Sequence, residues 1–208
     1  MFLHLLLLLV FLYGIFYISS MVFLLTACGI YFFLHSFLAN ETVKQKLAKA
    51  LGLSQKGYRI AYNLFNFAGL ALLLLLLYQT ASPLIYQKSL AATVTGAIVS
   101  FAGSIIMFLS LRNYNLIVLF GLRAETRMPL QIKGLNKYVR HPLYSGTILL
   151  ALGFCIALPY VKDWLFLVLM IIYIFIGMQY EEKKLIVWFG DEYKNYQKKV
   201  KRLIPGVL

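Results

Sequence analysis

Residues 143–180 read LYSGTILLALGFCIALPYVKDWLFLVLMIIYIFIGMQY, and this stretch decides the fold. Its only charges are Lys162 and Asp163, side by side near the middle. On either side lies an apolar run, about 143–160 and 163–180, each long enough for a helix crossing a ~30 Å hydrocarbon core. The short segment around Pro159 leaves room only for a tight turn. Two membrane helices joined so closely must run antiparallel. Residues 140–142 and 181–182 then come to the same membrane face.

The rest of the chain extends this pattern. Of its 208 residues 62% are hydrophobic and 13% charged, with a mean hydropathy of +0.80. Soluble domains are nearer half apolar and a quarter charged. Further apolar runs cover about 60–78 and 90–111, and residues 2–38 precede the first charge, Glu41. As one helix, 2–38 would measure ~55 Å, nearly twice the hydrocarbon core. Two crossings with a turn near Ser19–Ser20 are therefore expected. No positive n-region precedes the run and no clear small-residue cleavage site follows it, which disfavours a secretory leader. The expected fold is an all-α, polytopic transmembrane helix bundle. It has five core spans plus an extra N-terminal hydrophobic helix, and a C-terminal amphipathic helix closes it. The chain reads as a single membrane domain over 1–208, with N-terminal helices in 1–89 and the chemistry in 90–208.

The net charge of +13 raises the possibility of nucleic acid. Its placement answers the question. Lys and Arg concentrate in segments 39–59 and 112–142 (the latter with Arg112, Arg123, Arg127, Lys133, Lys137 and Arg140) and in the tail after 180. Segments 79–89 and 159–163 are nearly free of them. This alternation is the positive-inside pattern, which puts the basic segments in the cytoplasm and makes the partner a lipid bilayer rather than nucleic acid. In a bacterium that bilayer is the inner membrane. With two N-terminal crossings the N-terminus is cytoplasmic as well; with one it is outside. Cys28 and Cys155 sit inside apolar runs with no metal or disulfide spacing and read as packing residues. Ala92, Gly96, Ser100 and Ser104 recur every fourth residue, a small face that lets a neighbouring membrane helix approach closely.

Convergent polar groups lie on the basic side. Pro142 disfavours helix at His141 and suits the first turn of the helix that follows. His141 therefore stands at the entry of that helix, where free N–H groups and Arg140 make an anion-friendly site. An ordinary capped helix start accounts for the same residues. Glu181 and Glu182 follow the last span, where the helix dipole and the positive-inside bias both disfavour carboxylates. Either a cationic or hydroxyl-rich ligand holds them there, or the helix continues and they pair with Lys184 or Arg140. Past Gly190, Asp191 can cap an amphipathic helix whose apolar face is Tyr193, Tyr196, Val200 and Leu203. It would lie on the lipid surface or fold back as a lid. The set (an anion site, two carboxylates, aromatics and a cover) matches S-adenosylmethionine and, in part, other zwitterions.

Gly134-x3-Tyr138-Val139-Arg140-His141-Pro142-x-Tyr144-x-Gly146, then Glu181-Glu182-x2-Leu185-x3-Phe189-Gly190-x2-Tyr193-x2-Tyr196 and Arg202-x-Ile204-Pro205, resembles the membrane methyltransferases. That group includes the isoprenylcysteine carboxyl methyltransferases and phospholipid N-methyltransferases. The resemblance implies an S-adenosyl-L-methionine-dependent methyltransferase with a cytoplasm-facing site. Tyr138, His141, Pro142, Tyr144, Gly146, Glu181, Glu182, Tyr193 and Arg202 would bind the cofactor, and Arg140, His141 and Glu182 would serve catalysis. No metal is implied. The acceptor would be a lipophilic or membrane-accessible small molecule: a prenylcysteine-like carboxylate, a lipid amine or a thiol. The Gly-x-Gly cofactor motif of phospholipid methyltransferases has no counterpart here. In the N-terminal half, His35-Ser36 and Tyr58-Arg59-x2-Tyr62-Asn63 resemble the NnrU group and small-thiol methyltransferases. This second resemblance implies two roles for His35, Arg59 and Asn63. They would contact the acceptor, or His35 would ligate haem in an isomerase or redox protein. Locally, His35 reads as an interfacial histidine making a nearby hydrogen bond. A non-catalytic membrane scaffold is the third reading.

Overall fold

A computed structural model describes residues 2–112 and 129–207, with the side chains of 2–10 and 13 excepted. Arg123 and Arg127 of the second basic segment lie outside the described residues. In chain order the helices are α1 (Phe2–Ala39), α2 (Glu41–Ala50), α3 (Gln55–Gln79) and α4 (Leu90–Leu111). A 3-10 turn (Gly134–Lys137) follows, then α5 (Pro142–Ala157), α6 (Val161–Phe189) and α7 (Asp191–Lys199). Four helices are long and apolar enough to cross a bilayer: α3, α4, α6 and the Gly14–Ala39 part of α1. The shorter apolar α5 accompanies them. The protein is an integral membrane protein with a polytopic helical bundle. Large side chains such as Leu72, Phe101, Phe108 and Ile176 stay exposed on the outer faces, where lipid tails are the solvent.

The N-terminal run departs from the two-crossing expectation. Residues 2–39 form one continuous helix of 38 residues. Ser19–Ser20 makes no turn, because the Ser20 hydroxyl donates to the Tyr17 carbonyl at 2.8 Å within the helix. Thr26 does the same to Val22 at 2.8 Å. No proline interrupts the run, so nothing in it removes a helical hydrogen bond.

The α5–α6 hairpin forms as expected. Loop 80–89 lies against its turn: the Ile85 N–H donates to the Pro159 carbonyl at 2.7 Å, and Leu84 bridges Tyr160 antiparallel. Lys162 is buried, and its ammonium donates to the carbonyls of Tyr78 (3.1 Å) and Thr80 (2.7 Å) at the end of α3. A cation there complements the negative helix terminus. The 29 residues of α6 span ~43 Å, so its last turns outrun the hydrocarbon core and carry Glu181 and Glu182 beyond it.

The expected small face of α4 packs on α5. A methyl at Gly96 would stand 2.5 Å from the Gly153 carbonyl oxygen and 2.6 Å from the Ala157 nitrogen. Ser100 donates to the Leu150 carbonyl across the seam at 3.2 Å. Gly103, rather than Ser104, makes the next contact. Steps of four drift around a 3.6-residue helix, so the seam moves back by one position. Ser104 instead bonds the Ser100 carbonyl at 2.9 Å. On the N-terminal side, Leu24, Cys28 and Leu73 form a small core with Tyr31, Phe32, Phe166 and Leu169 around it. Cys28 and Cys155 are both buried free thiols.

Candidate functional site

The hairpin brings the two polar stretches together, and the C-terminal tail ties them. Val139 pairs in parallel with Lys201, and the N–H groups of Arg140 and His141 donate to the carbonyls of Lys201 (2.8 Å) and Arg202 (3.0 Å). Ser145 donates to the Leu203 carbonyl at 2.7 Å. Gly190 turns the chain between α6 and α7 at φ +54°, a conformation that glycine takes without steric cost. Gly190 itself occupies the cap position, and no side chain bonds there. Asp191 is thus a first-turn residue, where its charge suits the helix dipole, and not the cap expected. Helix α7 ends at Lys199 and Val200 is extended, so the tail leaves the helix before Leu203 reaches the core.

Glu182 is the centre of the cluster. Its side chain is 4% exposed. One carboxylate oxygen accepts from Arg140 Nε at 2.8 Å, pairs with its Nη2 at 2.7 Å and meets His141 Nε2 at 3.1 Å. The other accepts from Arg202 Nε (3.1 Å), Arg202 Nη2 (2.9 Å) and Gln197 Nε2 (3.2 Å). An ionised carboxylate only accepts, so His141 presents Nε2–H to it. Arg140 also donates Nη1 to the carbonyls of Gln197 and Val200, which the bend after α7 leaves without helical partners. The ion-paired reading of the glutamates therefore describes Glu182: α6 runs on to Phe189 and both oxygens are taken.

Glu181 differs. It is half-exposed, accepts from the Tyr144 hydroxyl at 3.1 Å and stands 3.7 Å from His141 Nδ1. Tyr144 stacks on the His141 ring with centroids 5.6 Å apart. Pro142 is buried at the first helical position. Tyr193 is 1% exposed, and among the described residues its hydroxyl has no hydrogen-bond partner. Burial raises its phenol well above the usual range, and the nearby Glu182 charge raises it further. Tyr138 is exposed and lines a cavity of about 480 Å³ with Arg112, Lys137, Leu109, Gly134 and Leu135. A smaller one of about 230 Å³ opens between α6 and the tail beside Glu182, Gln197 and Arg202.

One expected site residue sits elsewhere. Gly146 lies in the α4–α5 seam, where a methyl would come within 2.7 Å of Met107 and 2.8 Å of the Gly103 carbonyl. There it lets α4 and α5 approach backbone to backbone. Three others lie on the N-terminal helices. Arg59 and Asn63 are partly buried on α3, one turn apart. His35 bonds across to α3, Nδ1 to Asn66 Oδ1 at 2.8 Å.

Several residues of the cluster escaped the sequence reading. Gln197 looked like one more polar position among lysines. Asn136 is buried in the 3-10 turn; it donates to the Arg140 carbonyl at 3.1 Å and accepts at its own carbonyl from Tyr196 at 2.6 Å. Asn66 and Tyr173 sit inside spans that read as uniformly apolar. The spacing of Arg59, Tyr62, Asn63 and Asn66 on one helix face was the signal for Asn66.

Chemically, the end of the hairpin offers cations beside an open cavity, one half-exposed carboxylate, and aromatic rings at two depths. Among the described residues no three His, Cys, Asp or Glu side chains gather into a metal-ligating group.

Comparison with known proteins places the chain. The family model for NnrU protein matches residues 23–206. Methanethiol S-methyltransferase 1 of Bradyrhizobium diazoefficiens is 38% identical over 153 residues, which cover 67% of this chain and 52% of that protein. Methanethiol S-methyltransferase of Crocosphaera subtropica is 29% identical, covering 86% of this chain and 72% of the relative. Methanethiol S-methyltransferase 2 of B. diazoefficiens is 33% identical, covering 82% and 68%. The chain thus spans about half the length of the first of these relatives and about seven-tenths of the other two. No solved structure matches. With a family model matched over nearly its whole length, the chain belongs to the NnrU protein family.

Proposed function

We propose that this protein is an S-adenosylmethionine-dependent membrane methyltransferase whose acceptor is a small thiol, with its site on the cytoplasmic face. The observation that carries the reading is the convergence of Arg140, His141, Glu181, Glu182 and Arg202 beneath α7, at one end of a membrane hairpin. Relatives named for methanethiol methylation support both the reaction and the acceptor. The basic segments on the same side support the cytoplasmic orientation.

The residues present fit the cofactor. Arg112 and Lys137 would hold its carboxylate at the cavity beside the 3-10 turn, and the exposed Tyr138 ring there would stack on adenine. Glu181 retains exposed surface for the ammonium. The Tyr193 hydroxyl is a buried donor among charged groups with no partner among the described residues, a common sign of a ligand site. Once bound, S-adenosylmethionine supplies a methyl group already activated on a sulfonium. Glu182 has both oxygens occupied, so it positions the arginines and the tail rather than contacting the cofactor. Helix α7 and residues 200–203 cover Glu182 and His141, both buried.

Calorimetry on the full chain in detergent tests the cofactor, and transfer of labelled methyl to methanethiol tests the reaction. S-adenosylmethionine should bind, and Glu181→Gln and Tyr138→Ala should each weaken it about tenfold, ~1.4 kcal/mol. Both side chains are exposed enough for the variants to fold. A folded wild-type protein that binds no S-adenosylmethionine would sink the reading.

A further inference from the structure

About nine residues before Glu182 on α6, roughly 13 Å along the helix, a second polar cluster lies between the apolar helices. The His35 ring is partly buried among three tyrosines, with centroid distances of 6.1 Å to Tyr31, 5.8 Å to Tyr62 and 6.0 Å to Tyr173. Three helices contribute: α1, α3 and α6. The Tyr173 and Ser36 hydroxyls share a hydrogen bond at 2.9 Å, and the Tyr62 hydroxyl donates to the His35 carbonyl at 3.2 Å.

The hydrogen bonds of Asn66 fix the proton on this imidazole. Asn66 Nδ2 donates to the Tyr62 carbonyl at 2.8 Å, an atom that only accepts. Oδ1 must therefore be the atom facing His35 Nδ1, at 2.8 Å. Since Oδ1 also only accepts, Nδ1 carries the hydrogen, and in the neutral ring the lone pair is on Nε2. Among the described residues no group donates to Nε2. A histidine oriented through one nitrogen, with the other left basic inside a small aromatic enclosure, is equipped to take a proton. Sulfur is well received by aromatic ring edges.

We propose that His35 is the general base that deprotonates the acceptor thiol, with Asn66 as its positioning residue and Tyr31, Tyr62 and Tyr173 as the acceptor enclosure. This rests on the thiol methyltransferase reading above. As the S–H proton passes to Nε2, the thiol sulfur forms a bond to the methyl carbon of the sulfonium donor. The old carbon–sulfonium bond breaks with its electron pair kept by the donor's sulfur. A methyl thioether and the neutral thioether of the donor result, and the imidazolium releases its proton to water. Among the described residues, the groups around the ring are Tyr31 and Ser36 on α1, Tyr62 and Asn66 on α3, and Tyr173 on α6. None of them is a carboxylate or an ammonium, and Arg59 lies two turns away on the α3 face that carries Asn66.

Full-length protein in nanodiscs, with S-adenosylmethionine and methanethiol, provides the test. His35→Gln should lower kcat ~100-fold or more at neutral pH. It should recover at alkaline pH, where the thiol ionises unaided, and keep wild-type S-adenosylmethionine affinity. Asn66→Asp, which keeps the oxygen acceptor for Nδ1 and loses the donation to the Tyr62 carbonyl, should retain more activity than Asn66→Leu, which loses both. In wild-type protein with 15N-labelled histidine, His35 should show a protonated Nδ1 and a bare Nε2, whatever the variants do. Protonated Nε2, a His35→Gln rate within threefold of wild type across pH, or a Soret band that depends on His35 would each overturn the proposal. In those cases methyl transfer by the wild type would leave the broader reading standing. A wild type that binds the donor but never methylates the thiol would overturn both.

Discussion

The two halves of the bundle are held together by different means. On the C-terminal side, α4 and α5 meet backbone to backbone through Gly96, Gly103, Gly146 and Gly153, and one carboxylate, Glu182, ties α5, α6 and the tail. On the N-terminal side, α1, α3 and α6 meet through rings and amides: Tyr31, Phe32, Tyr62, Asn66 and Tyr173. Phe32 and Tyr173 stack with centroids 4.5 Å apart. Glycine seams and buried ion pairs permit one geometry. Rings at the ends of flexible side chains can move a few tenths of an ångström without breaking anything. A cofactor pocket gains from the first kind of contact, because alignment sets the rate. An acceptor enclosure tolerates the second.

The largest expected effect is at Glu182. Glu182→Ala removes the partner of two arginines, one of them buried, at a cost of about 3–5 kcal/mol. Arg140 keeps the Gln197 and Val200 carbonyls but loses its charge partner. The unfolding midpoint of purified protein should fall steeply, and S-adenosylmethionine binding should be lost even where the protein still folds. Glu182→Gln keeps an acceptor oxygen and should fall between the two. A stability equal to wild type would mean that the cluster does not hold the tail, and the contrast between the halves would fail.

How much of this was legible in the sequence depends on the kind of contact. The hairpin was, because two apolar runs around Lys162–Asp163 allow one arrangement. The seam was nearly so: Gly96 and Ser100 stand where a four-residue step puts them, and the step fails at Ser104 only because a helix turns every 3.6 residues. The length of α1 was not, since serines at 19 and 20 break a helix or bond within it equally well on paper. The role of Glu182 was open, because pairing with Arg140 or with a ligand leaves the same trace in sequence. Gln197 and Asn136 were invisible. Their partners are a side chain and carbonyls brought near only when the tail folds back along Val139–His141.

An intermediate effect tests the seam itself. Gly96→Ala adds a methyl against the Gly153 carbonyl oxygen and the Ala157 nitrogen, neither of which can rotate away. Helix propensity favours alanine by about 1 kcal/mol, but overpacking against backbone costs about 1–3 kcal/mol and should prevail. Measured by unfolding in detergent, the variant should be destabilised, with α4 and α5 pushed apart. Because Tyr138 and Arg140 lie just before α5, donor affinity should fall with it. A neutral result would show that the two helices slide past the methyl easily, and so that the seam does not fix the pocket.

The smallest effect belongs to the matching position in the other half. Gly69 on α3 faces Tyr31, and a methyl there would stand 2.8 Å from its Cε2 and 3.0 Å from its Cδ2. The clash is nearly as close as that at Gly146, yet the atoms met belong to a ring on a flexible side chain. Tyr31 can tilt at the expense of its hydrogen bond to the Asn66 carbonyl, a partly exposed contact of 3.2 Å. The gain in helix propensity offsets most of that loss, so Gly69→Ala should change stability by less than about 1 kcal/mol. The shift should instead be felt by what Tyr31 touches. Its ring packs near His35, so KM for the thiol should rise severalfold while S-adenosylmethionine affinity stays at the wild-type value. If Gly69→Ala destabilises as strongly as Gly96→Ala, the N-terminal half is as rigidly built as the other. If it changes neither stability nor thiol KM, Tyr31 is no part of the acceptor enclosure.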